Sequence, residues 1–200
     1  MDNILQLLAL SSGVELVAVA LAIAYVILAI RQSLWCWPAA AISASIYTVL
    51  FFTGKLYMES ILQVFYVLMA GYGYWQWRTL KNTAQQQSGG SIRRLSGLWH
   101  SKWLLMLTVL SMLLGTALMW LTDADMPYLD TFTTVFSFFA TFLVARKLLE
   151  NWLYWVVIDV VYIGLFWSKG FYATALLFVV YTVMAAIGYL RWRQAWRSEQ

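Results

Sequence analysis

The stretch RKLLENWLYWVVIDVVYIGLFWSKGFYATALLFVVYTVMAAIGYLRWR, residues 146–193, decides the fold, because the chain carries it twice. Moved back by 115 positions it aligns without a gap on residues 31–78, RQSLWCWPAAAISASIYTVLFFTGKLYMESILQVFYVLMAGYGYWQWR. Trp37 coincides with Trp152, Tyr47 with Tyr162, Phe51 with Phe166, Tyr57 with Tyr172 and Tyr66 with Tyr181. Gly73 with Gly188, Trp77 with Trp192 and Arg78 with Arg193 continue the series, and the same offset pairs Glu15 with Asp130. Self-similarity at a fixed offset marks a duplicated structural unit.

Each copy is built of apolar runs of bilayer length. Working outward, such runs fall at 13–30, 33–53, 56–77, 103–121, 128–145, 149–168 and 171–192, each near the ~20 residues a crossing helix needs. Composition agrees: 62% of the 200 residues are hydrophobic and 11% charged, against about 25% charged in a soluble domain. The expected fold is an all-α integral membrane protein of seven transmembrane helices. It forms a single membrane domain over 1–200, with a first three-helix repeat at 13–78 and a second at 128–193. Three helices are an odd number, so the extra span at 103–121 restores the orientation of the second copy and leaves the copies parallel, a 3+1+3 arrangement. Parallel repeats with a ligand site at their interface are a transporter design.

The segment 79–102, TLKNTAQQQSGGSIRRLSGLWHSK, is rich in Gln, Ser, Gly and basic residues and reads as a cytoplasmic linker. If it is cytoplasmic, alternation places eleven of the 13 Lys and Arg on its side, leaving Lys55 and Lys169 opposite. This positive-inside bias predicts an outer N-terminus and a cytoplasmic C-terminus. It also explains the +4 charge without a nucleic-acid partner. Residues 1–12 lack the basic start of a signal peptide and read as a short outer segment. One cysteine, Cys36, and one histidine, His100, leave no soft metal cluster and no internal disulfide. His100 falls in the linker, where a solvated or interfacial side chain is expected. No phosphate-binding GxxxxGK[ST] loop occurs, and no base stands beside a nucleophile within the spans, so no enzyme, no cofactor and no metal are expected.

Asp159 is the residue with the greatest cost, lying midway along an apolar run where an acid disfavours insertion by about 3 kcal/mol. Trp152, Trp155, Asp159, Tyr162 and Phe166 follow helical spacing and share a face. The first copy carries Trp37, Ala40, Ala44, Tyr47 and Phe51 there, keeping the aromatic ends without the acid. A ligand with one charged end requires such asymmetry; an Asp hydrogen-bonded to lock two helices is the structural alternative. Gln63, Tyr66 and Tyr181 add polar groups that bind a ligand or bridge helices, and Glu59 lies near the entrance. Glu15 and Asp130 complement helix dipoles, whereas Gly71, Gly73 and Gly188 permit close helix approach.

The motifs LQVFYVLMAGYGYWQW at 62–77, ENWLYWVVID at 150–159 and SKGFYATALLFVVY at 168–181 resemble the PnuC-type bacterial vitamin transporters, best known for nicotinamide riboside. That resemblance implies a SWEET-like 3+1+3 fold in the bacterial inner membrane and a homo-oligomer, a trimer, among membrane lipid. It also implies facilitated diffusion of a small-molecule vitamin, with a cytoplasmic vitamin kinase trapping the product. It assigns substrate stacking to Trp152 and Trp155 and a polar contact to Gln63. Relatives carrying nicotinamide riboside have an amide where this chain has Asp159, and another Asn where it has Ala70. Members resembling this variant carry thiamine, so thiamine stands slightly ahead of nicotinamide riboside. Both are aromatic cations, suited to aromatic faces and a desolvated carboxylate. The alternative reading is a seven-helix sensor or assembly protein that binds a small ligand without translocating it.

Overall fold

A computed structural model describes residues 2–53, 57–87, 92–121, 126–168, 170 and 172–198. Seven helices follow in order: α1 (Asp2–Ile30), α2 (Cys36–Thr53), α3 (Tyr57–Gln87), α4 (Gly97–Leu121), α5 (Pro127–Ala145), α6 (Asn151–Ser168) and α7 (Tyr172–Ser198). Six stretches among the described residues are long and apolar enough to cross a bilayer: Gly13–Ile30, Cys36–Thr53, Gly97–Leu121, Pro127–Ala145, Asn151–Ser168 and Thr174–Ser198. The remaining helix, α3, has its apolar stretch diluted by Glu59, Gln63, Gln76 and Arg78.

Three boundaries differ from the sequence expectation. The first helix begins at Asp2 rather than at residue 13, since Leu and Ala among residues 4–10 favour the helical state. The third continues to Gln87, because Lys, Ala and Gln are good helix formers even where the chain is too polar for lipid. The expected linker is thus helical at both ends, through Gln87 and from Gly97, with residues 88–91 outside the described ones, and α4 takes in Gly97–Lys102.

The chain divides into two compact units, Met1–Ser88 and Gly89–Gln200. In the first, α2 packs on both α1 and α3. Its centre holds Trp37 and Trp77, both nearly inaccessible, in edge-to-face contact at 5.4 Å between ring centroids and an 86° interplanar angle. Ser43 donates its hydroxyl to the Ala18 carbonyl at 2.8 Å and Ser60 to that of Thr48 at 2.9 Å, hydrogen bonds that satisfy hydroxyls where lipid supplies no partner. In the second unit α4 packs on α5, α5 on α6 and α6 on α7. Leu107, Val135, Phe136, Phe139, Leu143 and Ile158 form part of its core. The other face of α4 leaves Leu105, Leu113, Trp120 and Leu121 exposed, as a lipid-facing helix does.

The α1–α2 and α5–α6 corners have the same construction. Gln32 and Lys147 adopt left-handed φ values of 56° and 52°. The Gln32 and Ser33 N–H groups donate to Ala29 and Leu28, and those of Lys147 and Leu148 donate to Val144 and Leu143. Both are Schellman caps, which satisfy the last carbonyls of a helix and turn the chain sharply. Each corner places a non-glycine residue in a conformation usually left to glycine, and the two are 115 positions apart.

Candidate functional site

Helix α6 begins directly after the second corner, where the Asn151 Nδ2 donates to the Leu148 carbonyl at 2.6 Å. From that fixed start the aromatic stripe runs along one face, but its members meet different neighbours. Trp152 turns to α7, edge-on to Trp192 at 5.5 Å and 86°, and is 4% exposed. Trp155 instead packs with Tyr162 against the α4–α5–α6 core. Trp152 has the geometry of its counterpart Trp37, and neither indole N–H has a hydrogen-bond partner among the described residues.

Asp159, 5% exposed, lies one turn beyond Trp155 and one turn before Tyr162. Among the described residues no hydrogen bond or ion pair to its carboxyl is found, while Tyr162 is within its electrostatic reach. The Tyr162 ring packs with Trp155 against the α4–α5–α6 core, and Thr133 of α5 donates its Oγ1 to the Leu129 carbonyl at 3.0 Å. That packing holds the Tyr162 ring one turn beyond the acid. Asp130, in the first turn of α5, is also within reach of Tyr162, as Glu15 is of Tyr47.

Sequence reasoning missed Phe178 of α7. Its ring stacks on Tyr162 at 4.7 Å and on Phe166 at 5.4 Å, and meets Tyr181 edge-on at 5.9 Å. Four aromatic rings from α6 and α7 thus form one wall on the Asp159 helix. The signal that could have found Phe178 was the repeat itself, since it occupies the position of Gln63. Gln63 and Tyr66 lie half-buried on α3 in the first unit, where Tyr66 meets Phe65 edge-on at 5.8 Å. The side chain of Glu59 lies outside the described residues.

His100, expected to be solvated or interfacial, is largely enclosed. It lies in the first turn of α4 with its side chain 13% exposed, and its Nδ1 is 3.0 Å from the Tyr154 hydroxyl. No group of three or more His, Cys, Asp or Glu side chains suited to a metal occurs among the described residues.

Membrane-length helices, and in the second unit a buried carboxyl on the helix that carries stacked aromatic rings, define a multi-pass membrane protein with features of a small-molecule site. The family described as nicotinamide mononucleotide transporter matches residues 12–194. The chain belongs to that family, the PnuC family, and is a membrane transporter rather than an enzyme. It is 27% identical over 175 residues to the nicotinamide riboside transporter PnuC of Escherichia coli K12, covering 76% of this chain and 72% of that one. It is 25% identical over 170 residues to the riboflavin/roseoflavin transporter RibM of Streptomyces davaonensis, covering 82% and 77%. A crystal structure of the vitamin B3 transporter PnuC superposes with a TM-score of 0.71 at 23% identity, covering 99% of this chain and 88% of that one. At that identity the likeness speaks for the fold.

Proposed function

We propose that this protein imports a flat aromatic cation of the vitamin class, thiamine ahead of nicotinamide riboside, across the bacterial inner membrane. The carrying observation is Asp159, a carboxyl buried in a spanning helix with no hydrogen bond or ion pair found among the described residues, where the other copy has Ala44. A buried acid favours a counter-charge over solitude, and a cationic ligand supplies one. Trp155, Tyr162, Phe178 and Tyr181 provide the aromatic surface for its ring, and Gln63, Tyr66 and Glu59 of α3 are proposed separately as polar groups that the vitamin meets on its way through the first unit. Trp152 acts as the brace that fixes α6 on α7. The relatives named for nicotinamide riboside and riboflavin support a heteroaromatic vitamin.

Seven spans in a 3+1+3 parallel repeat, with the N-terminus outside, complete the reading. It is supported by the matching corners at Gln32 and Lys147, the matching tryptophan pairs and the distribution of basic residues. Transport is facilitated diffusion by a homo-oligomer, with a cytoplasmic kinase trapping the vitamin as its phosphate. Proteoliposomes loaded with the cognate kinase and ATP test this. They should accumulate labelled thiamine or nicotinamide riboside, and lose accumulation when ATP is omitted. Binding without accumulation despite active kinase would instead assign the chain to ligand sensing.

A further inference from the structure

A polar cluster, enclosed at Glu150 and His100 and open to the surface at its arginines, joins the linker to α6 in the second unit, on side chains distant in sequence. The Arg93 N–H donates to the Lys147 carbonyl at 3.0 Å and the Leu149 N–H to the Arg93 carbonyl at 2.9 Å, a short parallel bridge. Arg94 Nε lies 3.1 Å from Glu150 Oε1, and its guanidinium sits 5.0 Å above the Trp196 ring of α7. His100 spans the remainder. Its Nδ1 is 3.0 Å from the Tyr154 hydroxyl, and its Nε2 is 3.7 Å from Glu150 Oε2. These last two atoms are buried and without a hydrogen-bond partner among the described residues.

At 3.7 Å the two atoms are too far apart for a hydrogen bond but close enough for an ion pair. A neutral imidazole has one N–H and can donate to only one of its two neighbours; an imidazolium donates to both. Protonated His100 therefore donates through Nδ1 to the Tyr154 oxygen and sets its charge at ion-pair distance from Glu150 Oε2, placing a cation against each carboxylate oxygen. Other charges around it are few. Lys102 follows on α4 and is exposed, Arg146 and Lys147 share the Glu150 loop, and Arg193 and Arg197 flank Trp196 on α7. Helix α5 brings Phe139 to the cluster, its titratable Tyr128 and Asp130 lying at the opposite end.

We propose that His100 is a positioning residue for the α6 site. It ties the start of α4 to the first turn of α6, and the tie tightens when the imidazole takes a proton, so that ligand affinity rises as pH falls on the linker side. Tyr154 transmits the effect. It meets Phe139 edge-on at 5.3 Å and immediately precedes Trp155, one turn before Asp159. The inference rests on the reading that α6 holds the ligand, but its test includes a measurement that needs no ligand.

Binding of thiamine and of nicotinamide riboside is measured at steps from about pH 8 to about pH 5.5. In parallel, hydrogen exchange at the Arg93 and Leu149 amides is followed and corrected for its intrinsic pH dependence. In the unaltered protein, affinity and protection should each rise about fivefold toward low pH, the scale of one modest ion pair. His100→Gln, which keeps a donor but takes no proton, should remove both changes. Tyr154→Phe keeps the ring on Phe139, removes the hydroxyl, and should remove the affinity change while retaining much of the protection change. Identical pH dependence in the unaltered and His100→Gln proteins overturns the proposal, whether or not a vitamin binds. A His100-dependent change in protection with neither vitamin bound would support the tie and defeat the vitamin assignment instead.

Discussion

Trp152 lies across Gly188, so close that a Cβ built on the glycine would stand 2.7 Å from the indole ring. Trp37 covers Gly73 in the same way. A missing side chain on one helix thus makes room for the largest side chain on its neighbour, and the tryptophan's edge then reaches Trp192 or Trp77. Gly188→Ala should destabilise the protein by about 1–3 kcal/mol, the usual cost of overpacking, and Gly73→Ala should do likewise. Thermal unfolding in detergent measures it. An unchanged midpoint for both variants would mean that the indoles shift aside freely.

Trp152 and Trp155 should therefore separate experimentally. Trp152→Ala opens a cavity under α7 and should cost about 3–5 kcal/mol of stability. Trp155→Ala should leave a folded protein whose affinity for the vitamin falls by about 1–2 kcal/mol through lost stacking and cation–π attraction. Thermal unfolding and ligand titration of both variants distinguish the roles. Full affinity in folded Trp155→Ala would return that residue to packing against the α4–α5–α6 core.

Much of this division was legible in the sequence, and the part that was not has physical causes. The offset of 115 residues and the apolar runs depend on periodicity, which survives without tertiary information; Asp159 stood out because an acid in an apolar run is rare. The family resemblance assigns Trp152 and Trp155 one stacking role, whereas in the structure Trp152 meets Trp192 of α7 and Trp155 packs against the α4–α5–α6 core. Phe178 is an aromatic among apolar residues, and its sequence surroundings alone do not tell a wall of a site from a lipid-facing ring. His100 looked isolated because its partners, Glu150 and Tyr154, lie far along the chain and meet it only once α4 packs against the start of α6.

Phe178→Gln should test whether the aromatic wall holds the ligand, since it writes into the second copy the residue found at position 63 of the first. The stacked contacts with Tyr162 and Phe166 disappear while a side chain of moderate length remains. Affinity for a cationic aromatic vitamin should fall by about 1 kcal/mol, and Phe178→Tyr should restore it. Equal losses in the Gln and Tyr variants would indicate that the position is sensitive to any polar atom rather than to loss of the ring.

Asp159→Asn is the most discriminating substitution, because it keeps shape and hydrogen-bonding capacity and removes only charge. If the carboxylate is the counter-charge of a bound thiazolium, thiamine affinity should fall about tenfold, the scale of a charge-assisted contact. Nicotinamide riboside carries both a cationic ring and a carboxamide; it loses the charge term but gains an amide neighbour, so the ratio of the two affinities should shift in its favour. A helix-locking Asp would behave otherwise, lowering the unfolding midpoint while the ratio stayed constant. A proton-carrying Asp would let a pH gradient alone drive uptake without kinase, and the Asn variant would lose that coupling yet still exchange substrate. No such gradient-driven uptake is expected, because His100 lies at the linker end and Asp130 in the first turn of α5, leaving Asp159 without a second titrating acid or base deep in the spans. Affinities for both vitamins, unfolding midpoints, and uptake with and without a pH gradient separate the three cases. A constant affinity ratio in a stably folded Asp159→Asn protein would remove the carboxylate from ligand selection.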